Sequence, residues 1–438
     1  MINFTTEKQG AMNYKSRVIN SILLILFAFF LHQNYIEKIY PIFSDIGYKI
    51  DENVSFFKLV FSYSILFLTI FLVLRIKSNF QYAVFSVIIS NWLIPNMVIY
   101  IEMLDNFDIF FLNFLLIFFS VFFEKLYIPL PNVKNYQFDR LAQRGLRYVI
   151  IISSVIFLIM VYFLGIKVNV QAILLDDDAI YSLRDNDIAS QPGLQLIGYF
   201  QGWLARSFIP VGIVLSIIQH KKWAIAFFIF LQILVFFFEG HKSILISTFV
   251  IVFFAIGHDY IKKIFYYFLT LNICLIISQT VFKNMDYTVF DDLITRRLFF
   301  TPALLNVFYF DFFESKKMYL SESILKLFNT YPYNMSSAYV IGEYYMGSNK
   351  IGANNGIIST GFMNFGYVGV LLNIISFNVL IKIIDKFKLT AKSFGIIFLI
   401  VNFLFISSSF FSCLNTHGVI LTLLFLFLFL RNSIQTDF

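Results

Sequence analysis

Two short stretches hold residues whose types and spacing suit chemistry. The first is GYFQGWLARSFIP, residues 198–210, where Arg206 stands well inside an apolar run. A cation at the centre of a membrane helix costs about 2.5–3.5 kcal/mol on insertion scales, so such a residue faces a cavity or a partner. Gln195, Gly198, Gly202 and Arg206 share one helical face by their spacing, and the small glycines would open a groove leading to the guanidinium. The second stretch is VFFFEGHKSILI, residues 235–246, where Glu239, Gly240, His241 and Lys242 interrupt a long apolar run. A general base must be free near neutral pH. His241 meets that intrinsically, and Glu239 meets it if partly buried at a helix end. A polar turn at an interface accounts for the same quartet without any chemistry.

Other cations extend the set. Arg184 lies in IYSLRDND, and Arg296 and Arg297 open TRRLFFTPALL. With Lys242, these residues fall on segments that the loop charges place on the outer side, where topology supplies no reason for them. Cations converging on a membrane groove suit a lipid-linked pyrophosphate, because arginine grips phosphate with two parallel bonds. Any one of the loop cations, taken singly, also reads as a solvated surface charge. Asp311 and Glu343 are further candidate bases. Asp176 to Asp178 and Asp185-Asn186-Asp187 carry a loose metal-ligand spacing that acidic loops contain by chance, so no metal and no cofactor are expected. GANNGIISTGFMNFGYVG, residues 352–369, has no GK[ST] and no strand-turn-helix setting. Its glycines fit a loop turning into a close-packed helix, and its Asn, Ser and Thr offer contacts to sugar hydroxyls.

The elements that must position these residues are membrane helices. Of 438 residues, 59% are hydrophobic and 13% charged, about half the roughly 25% charge of a soluble domain. The reading is an all-α polytopic membrane protein, one integral domain over residues 1–438. Apolar windows predict about 12 transmembrane helices, near 18–36, 56–75, 82–101, 107–123, 148–165, 195–218, 222–238, 243–257, 264–284, 363–384, 394–413 and 417–430. Val18 to Leu31 reads as the first span and not as a cleaved signal, since no small-residue cleavage site follows it. Two cysteines far apart, Cys274 and Cys413, point to neither a disulfide framework nor a metal site. The net charge of +7 belongs with membrane lipid and topology, and no nucleic-acid partner is expected.

Every second loop is basic, from Arg75 and Lys77 through Arg140, Arg144 and Arg147 to Lys262 with Lys263 and then Lys382 to Lys392. Early intervening loops are acidic, at Asp45 to Glu52, Glu102 to Asp108 and Asp176 to Asp178. The positive-inside rule then puts both termini in the cytoplasm. Two long outer loops follow, 166–194 and 285–362. Leu298 to Phe313, in the second, is short for a span and holds Pro302. It reads as a re-entrant or interfacial helix, because one crossing there would put Lys382 to Lys392 outside.

In this layout the chain resembles the Wzy-type family, the bacterial O-antigen and capsule repeat-unit polymerases. The likeness lies in many spans and two large outer loops after the fifth and ninth helices. It lies also in YSLR at Tyr181 to Arg184, GHKS at Gly240 to Ser243, RRLFFTPALL at Arg296 to Leu305, and STGFMNFGYVGVLL entering a helix. Family members often carry an arginine and, at a fixed interval, a glycine in each outer loop; Arg184 to Gly193 approximates this, and the second loop lacks it. The resemblance implies a glycosyltransferase of the bacterial inner membrane acting on polyprenyl-pyrophosphate-linked oligosaccharides, with a chain-length regulator as partner. Arg206, Arg184, Arg296, Arg297 and Lys242 would bind the departing pyrophosphate, with Arg206 in the catalytic set. His241 or Glu239 would take the acceptor's proton. An O-antigen ligase uses the same donor and differs in acceptor. A lipid-linked oligosaccharide flippase would have shorter loops, and a purely structural membrane protein explains neither Arg206 nor the loops.

Overall fold

The computed structural model describes residues 2–103, 107–126, 135–165, 195–280, 291–323 and 330–431. Of these described residues 81% are helical and none lies in a strand. In chain order the helices are α1 Ile2–Asn34, α2 Phe56–Leu74, α3 Asn79–Glu102, α4 Phe107–Glu124, α5 Asn135–Leu164, α6 Leu196–Ile218, α7 Lys222–Glu239 and α8 Lys242–Ala255. There follow α9 Tyr260–Thr280, α10 Thr301–Phe312, α11 Ser337–Met346, α12 Ile357–Lys386, α13 Ala391–Leu404, α14 Phe410–Leu414 and α15 Val419–Leu430. Eight helices among the described residues are long and apolar enough to cross a membrane: α1 to α6, α9 and α12. α7, α8, α13 and α15 are apolar but shorter. The protein is therefore a multi-pass membrane protein.

Residues 1–128, 259–382 and 405–410 form one compact unit, and 129–258, 383–404 and 411–438 a second. In the first, α3 is the central helix, with 94% of its apolar window buried. Its start is set by Ser78, whose hydroxyl accepts from the Gln81 N–H at 3.3 Å, the usual way to satisfy an orphan donor of the first turn. α1 runs against α9, and side-chain amides tie the two together. Asn20 donates to the Ile261 carbonyl at 3.0 Å, Asn272 to Leu23 at 2.9 Å and Gln279 to Phe30 at 3.0 Å. Without water, such bonds and close packing hold membrane helices to one another.

α12 is broken. Phe365 and Gly366 leave helical geometry, with Gly366 at φ 61°, a conformation glycine adopts freely. The chain doubles back there, and Asn373 donates to the Ile357 carbonyl at 2.8 Å. A Cβ on Gly369 would lie 2.2 Å from the Gly361 carbonyl oxygen, so the two arms touch backbone to backbone. The glycine-rich stretch thus serves a turn and close packing. The apolar segment of the second outer loop is helical from Asp291, and within it α10 is buried in the first unit through Leu304, Leu305 and Phe308.

In the second unit α6 packs on α7 by letting the Phe228 ring lie over Gly212, where a Cβ would meet it at 2.2 Å. α8 meets α13 where Gly395 faces the Ile251 backbone. The loop 166–194, with Arg184 and the acidic pairs around it, lies outside the described residues.

Candidate functional site

Arg206 stands in a wide, π-helical turn of α6, Leu204–Phe208. The turn follows from Pro210. Proline has no N–H to return to the carbonyl four residues back, and its ring crowds that carbonyl. The chain widens just before it, and the Ile209 N–H reaches back to Leu204. A wide turn leaves carbonyls needing donors, and in the membrane these must come from protein. Gln232 of α7 supplies one: its buried amide lies 3.3 Å from the Ala205 carbonyl and 3.2 Å from that of Ile244 in α8. One side chain thus ties three helices together next to Arg206.

The glycine face that would open a groove is filled at Gly202. A Cβ there would lie 2.7 Å from the Thr416 carbonyl oxygen and 3.3 Å from Arg206 Nη1. The absent side chain admits the turn between α14 and α15. Trp203 Nε1 donates to the Asn415 carbonyl at 2.8 Å, and Ser207 Oγ to Gly418 at 2.8 Å. Thr422 donates to Ser207 in turn, also at 2.8 Å. This seating brings His417 and Cys413 within electrostatic range of Arg206, and His417 within that of His241. Sequence reasoning passes over His417. Its signal in the sequence is the polar interruption Asn415-Thr416-His417-Gly418 between two apolar runs, the same kind of break that marks His241.

The quartet at residues 239–242 is a tight helix-to-helix turn. Gly240, at φ 61°, caps α7 by donating to the Phe236 carbonyl at 2.8 Å. His241 is extended, and its carbonyl accepts the first bond of α8 from Ile244 at 2.9 Å. Its side chain is exposed and that of Lys242 half-buried; the Glu239 side chain is outside the described set. Arg206, His241 and Lys242 therefore belong to the second unit, while Arg296 and Arg297 belong to the first. These two share Asp292: Arg296 Nε donates to it at 2.6 Å, and Arg297 Nη2 lies 3.3 Å from its other oxygen. Arg296 also lies over the Phe43 ring, 4.6 Å from its centroid.

The first unit contains a cavity of about 900 Å³. Five segments distant in sequence wall it. Asp51, Glu102, Asp108, Asp311 and Glu314 line it, with Lys49 and Lys317. Phe308 stacks on Tyr345 at 4.3 Å between centroids, and Phe310 on Phe362 at 3.9 Å. Glu102 is buried and receives His32 Nε2 at 2.7 Å, while His32 Nδ1 lies 3.2 Å from the Tyr63 hydroxyl. Tyr345 donates to Asp311 and Tyr367 to Asp108. Burial, and then the bond to Asp311, push the Tyr345 hydroxyl well above the ordinary phenol range, so the phenol keeps its proton and donates it. Of the loop carboxylates singled out in the sequence, Asp311 reaches this cavity and Glu343 is exposed on α11. Among the described residues no three His, Cys, Asp or Glu come together as metal ligands. No family model, curated protein or solved structure matches the chain.

Proposed function

We propose that the protein is a Wzy-type repeat-unit polymerase. In this reading it is a glycosyltransferase with twelve spans and both termini in the cytoplasm of a bacterium. It moves a growing glycan from polyprenyl pyrophosphate onto a hydroxyl of another lipid-linked repeat unit at the outer face of the inner membrane. The observation that carries the reading is Arg206. It is a guanidinium held by a wide turn inside an apolar helix, with His417 and His241 in electrostatic range of each other and His417 of Arg206. Cationic and imidazole groups gathered among apolar helices suit a lipid diphosphate. As the acceptor oxygen bonds to the anomeric carbon, the bond to pyrophosphate breaks, and negative charge grows on the leaving oxygen. A preplaced guanidinium stabilises that charge. The acceptor's proton passes to His241 or Glu239 acting as base.

The test uses the purified full chain in lipid nanodiscs with lipid-linked repeat units and no lipid A core. Wild type is expected to make a ladder of longer chains, and Arg206→Ala to slow this about 100-fold. Product only after lipid A core is added would make the protein a ligase. An unchanged rate in Arg206→Ala would take Arg206 out of the site.

A further inference from the structure

The cavity of the first unit has a chemical character of its own. Five carboxylates face two lysines in its lining. Lys317 has Glu314 within electrostatic range, while its Nζ donates to the backbone carbonyls of Phe313 at 2.6 Å and Glu314 at 3.2 Å and lies 3.6 Å from the Phe362 centroid. Asp108 and Asp311 are held by tyrosine hydroxyls instead. Phenols fix the direction of these carboxylates without cancelling their charge. Among the described residues no lysine or arginine pairs with either. Stacked aromatic pairs form the apolar wall, and aromatic faces attract cations as carboxylates do. A volume of about 900 Å³ falls in the range of pockets that enclose organic ligands, about 300–1,000 Å³. Fixed hydrogen-bonding groups, an aromatic wall and excess negative charge together describe a site for a polyhydroxylated ligand that is neutral or positively charged.

We propose that this cavity receives the sugar end of the acceptor glycan, prefers a sugar with a free amino group, takes a neutral sugar less well, and excludes a carboxylated one. The acceptor role rests on the polymerase reading. The charge preference rests on the cavity alone. An ammonium replaces missing countercharge beside Asp108 and Asp311, whereas a carboxylate would add to five already present. Asp108, Asp311 and Glu314 are exposed, so the preference belongs to low ionic strength and fades as salt screens it over a Debye length of about 8 Å at 0.15 M.

The experiment is saturation-transfer-difference NMR on the full chain in nanodiscs at low salt. The probes are a glucosamine oligomer, its N-acetylated counterpart and a galacturonate oligomer of equal length. The amine oligomer is expected to bind about tenfold better than the neutral one, a difference of about 1.4 kcal/mol, and the uronate to give no transfer. In Asp108→Asn with Asp311→Asn each amide oxygen still accepts from its tyrosine, so the walls remain and the amine preference is lost. The wild-type comparison needs no variant, which keeps the proposal testable if the variant fails to fold. Equal binding of uronate and amine oligomers, or binding of none, overturns the proposal. Amine-selective binding by a protein that polymerises nothing supports the cavity's charge preference and removes the polymerase reading with its acceptor role.

Discussion

Three buried side chains depend on the amide of Asn306. Its oxygen accepts from Asn355 at 3.1 Å and from the Ser359 hydroxyl, and its nitrogen donates to Asn96 at 3.2 Å. All four residues are buried. Asn355 and Ser359 frame the first arm of α12, and Asn96 belongs to the central α3, so this amide joins α10, α12 and α3. Interhelical bonds in lipid average about 0.6 kcal/mol, and a buried polar group left alone adds about 1–3 kcal/mol. Asn306→Ala is expected to lose about 2–4 kcal/mol, seen as a lower midpoint of thermal unfolding in detergent. Asn113→Ala is the control, because Asn113 is equally buried but donates only to Ile109 in its own helix at 2.8 Å. Equal losses in the two variants would remove the special role of Asn306. The sequence shows the polar residues singly. What it hides is that residues 96, 306 and 355 meet, because nothing local encodes a contact across so many positions.

Wide turns recur among the helices, and a proline follows four of the six that the described residues contain, while Ile400–Leu404 and Leu426–Leu430 have none after them. Tyr35–Ile39 precedes Pro41, Ile89–Leu93 precedes Pro95, Leu204–Phe208 precedes Pro210, and Asp291–Phe300 precedes Pro302. In the three shorter cases the N–H just before the proline bonds five residues back, as Tyr40 does to Tyr35 and Ile94 to Ile89. Such turns cluster at functional positions because they re-aim one side chain within an otherwise regular helix. This feature of the architecture was legible in part: a proline inside an apolar run accompanies four of the turns, and Pro210 stands four residues after Arg206, but no proline marks the other two. The groove was not legible. Small residues on a face admit either a ligand or a neighbouring backbone, and at Gly202 the neighbour, Thr416, wins. Pro210→Ala restores a donor and removes the cause of the widening. A regular turn there swings Arg206 away from His417 while leaving α6 apolar. The variant is expected to reach the membrane at wild-type levels and to polymerise at least about tenfold more slowly, in line with the loss of one preplaced charge contact. Wild-type rates in a well-expressed Pro210→Ala protein would show that the wide turn does not aim Arg206.

At the scale of the whole chain, composition and apolar runs made the helical membrane character plain, and each of the eight membrane-length helices among the described residues overlaps a predicted window. The number that cross is a separate matter, because length and hydropathy do not measure depth. α8 has 14 residues, about 21 Å at 1.5 Å per residue, against a hydrocarbon core of about 30 Å. α10, with 12 residues, continues a helical run that begins at Asp291, and this run is not among the helices long and apolar enough to cross. If α7 and α8 both cross, Lys242 is outside and His220 and His258 are inside, as the alternation of basic loops requires. If neither crosses, the alternation beyond them is unchanged, since two spans are lost together, but the turn at Gly240 never reaches the outer face. Charge counting therefore cannot separate these cases, whereas labelling can. Single cysteines at Asp51, His220, Lys242, His258, Lys316 and Lys388, in a chain with Cys274 and Cys413 replaced by serine, are to be probed with a membrane-impermeant maleimide on intact spheroplasts. Asp51, Lys242 and Lys316 are expected to label, and His220, His258 and Lys388 only after lysis. Labelling at Asp51 and Lys316 without Lys242 would keep the overall orientation, remove His241 and Lys242 from outer-face chemistry, and leave Arg206 to be reached from another side.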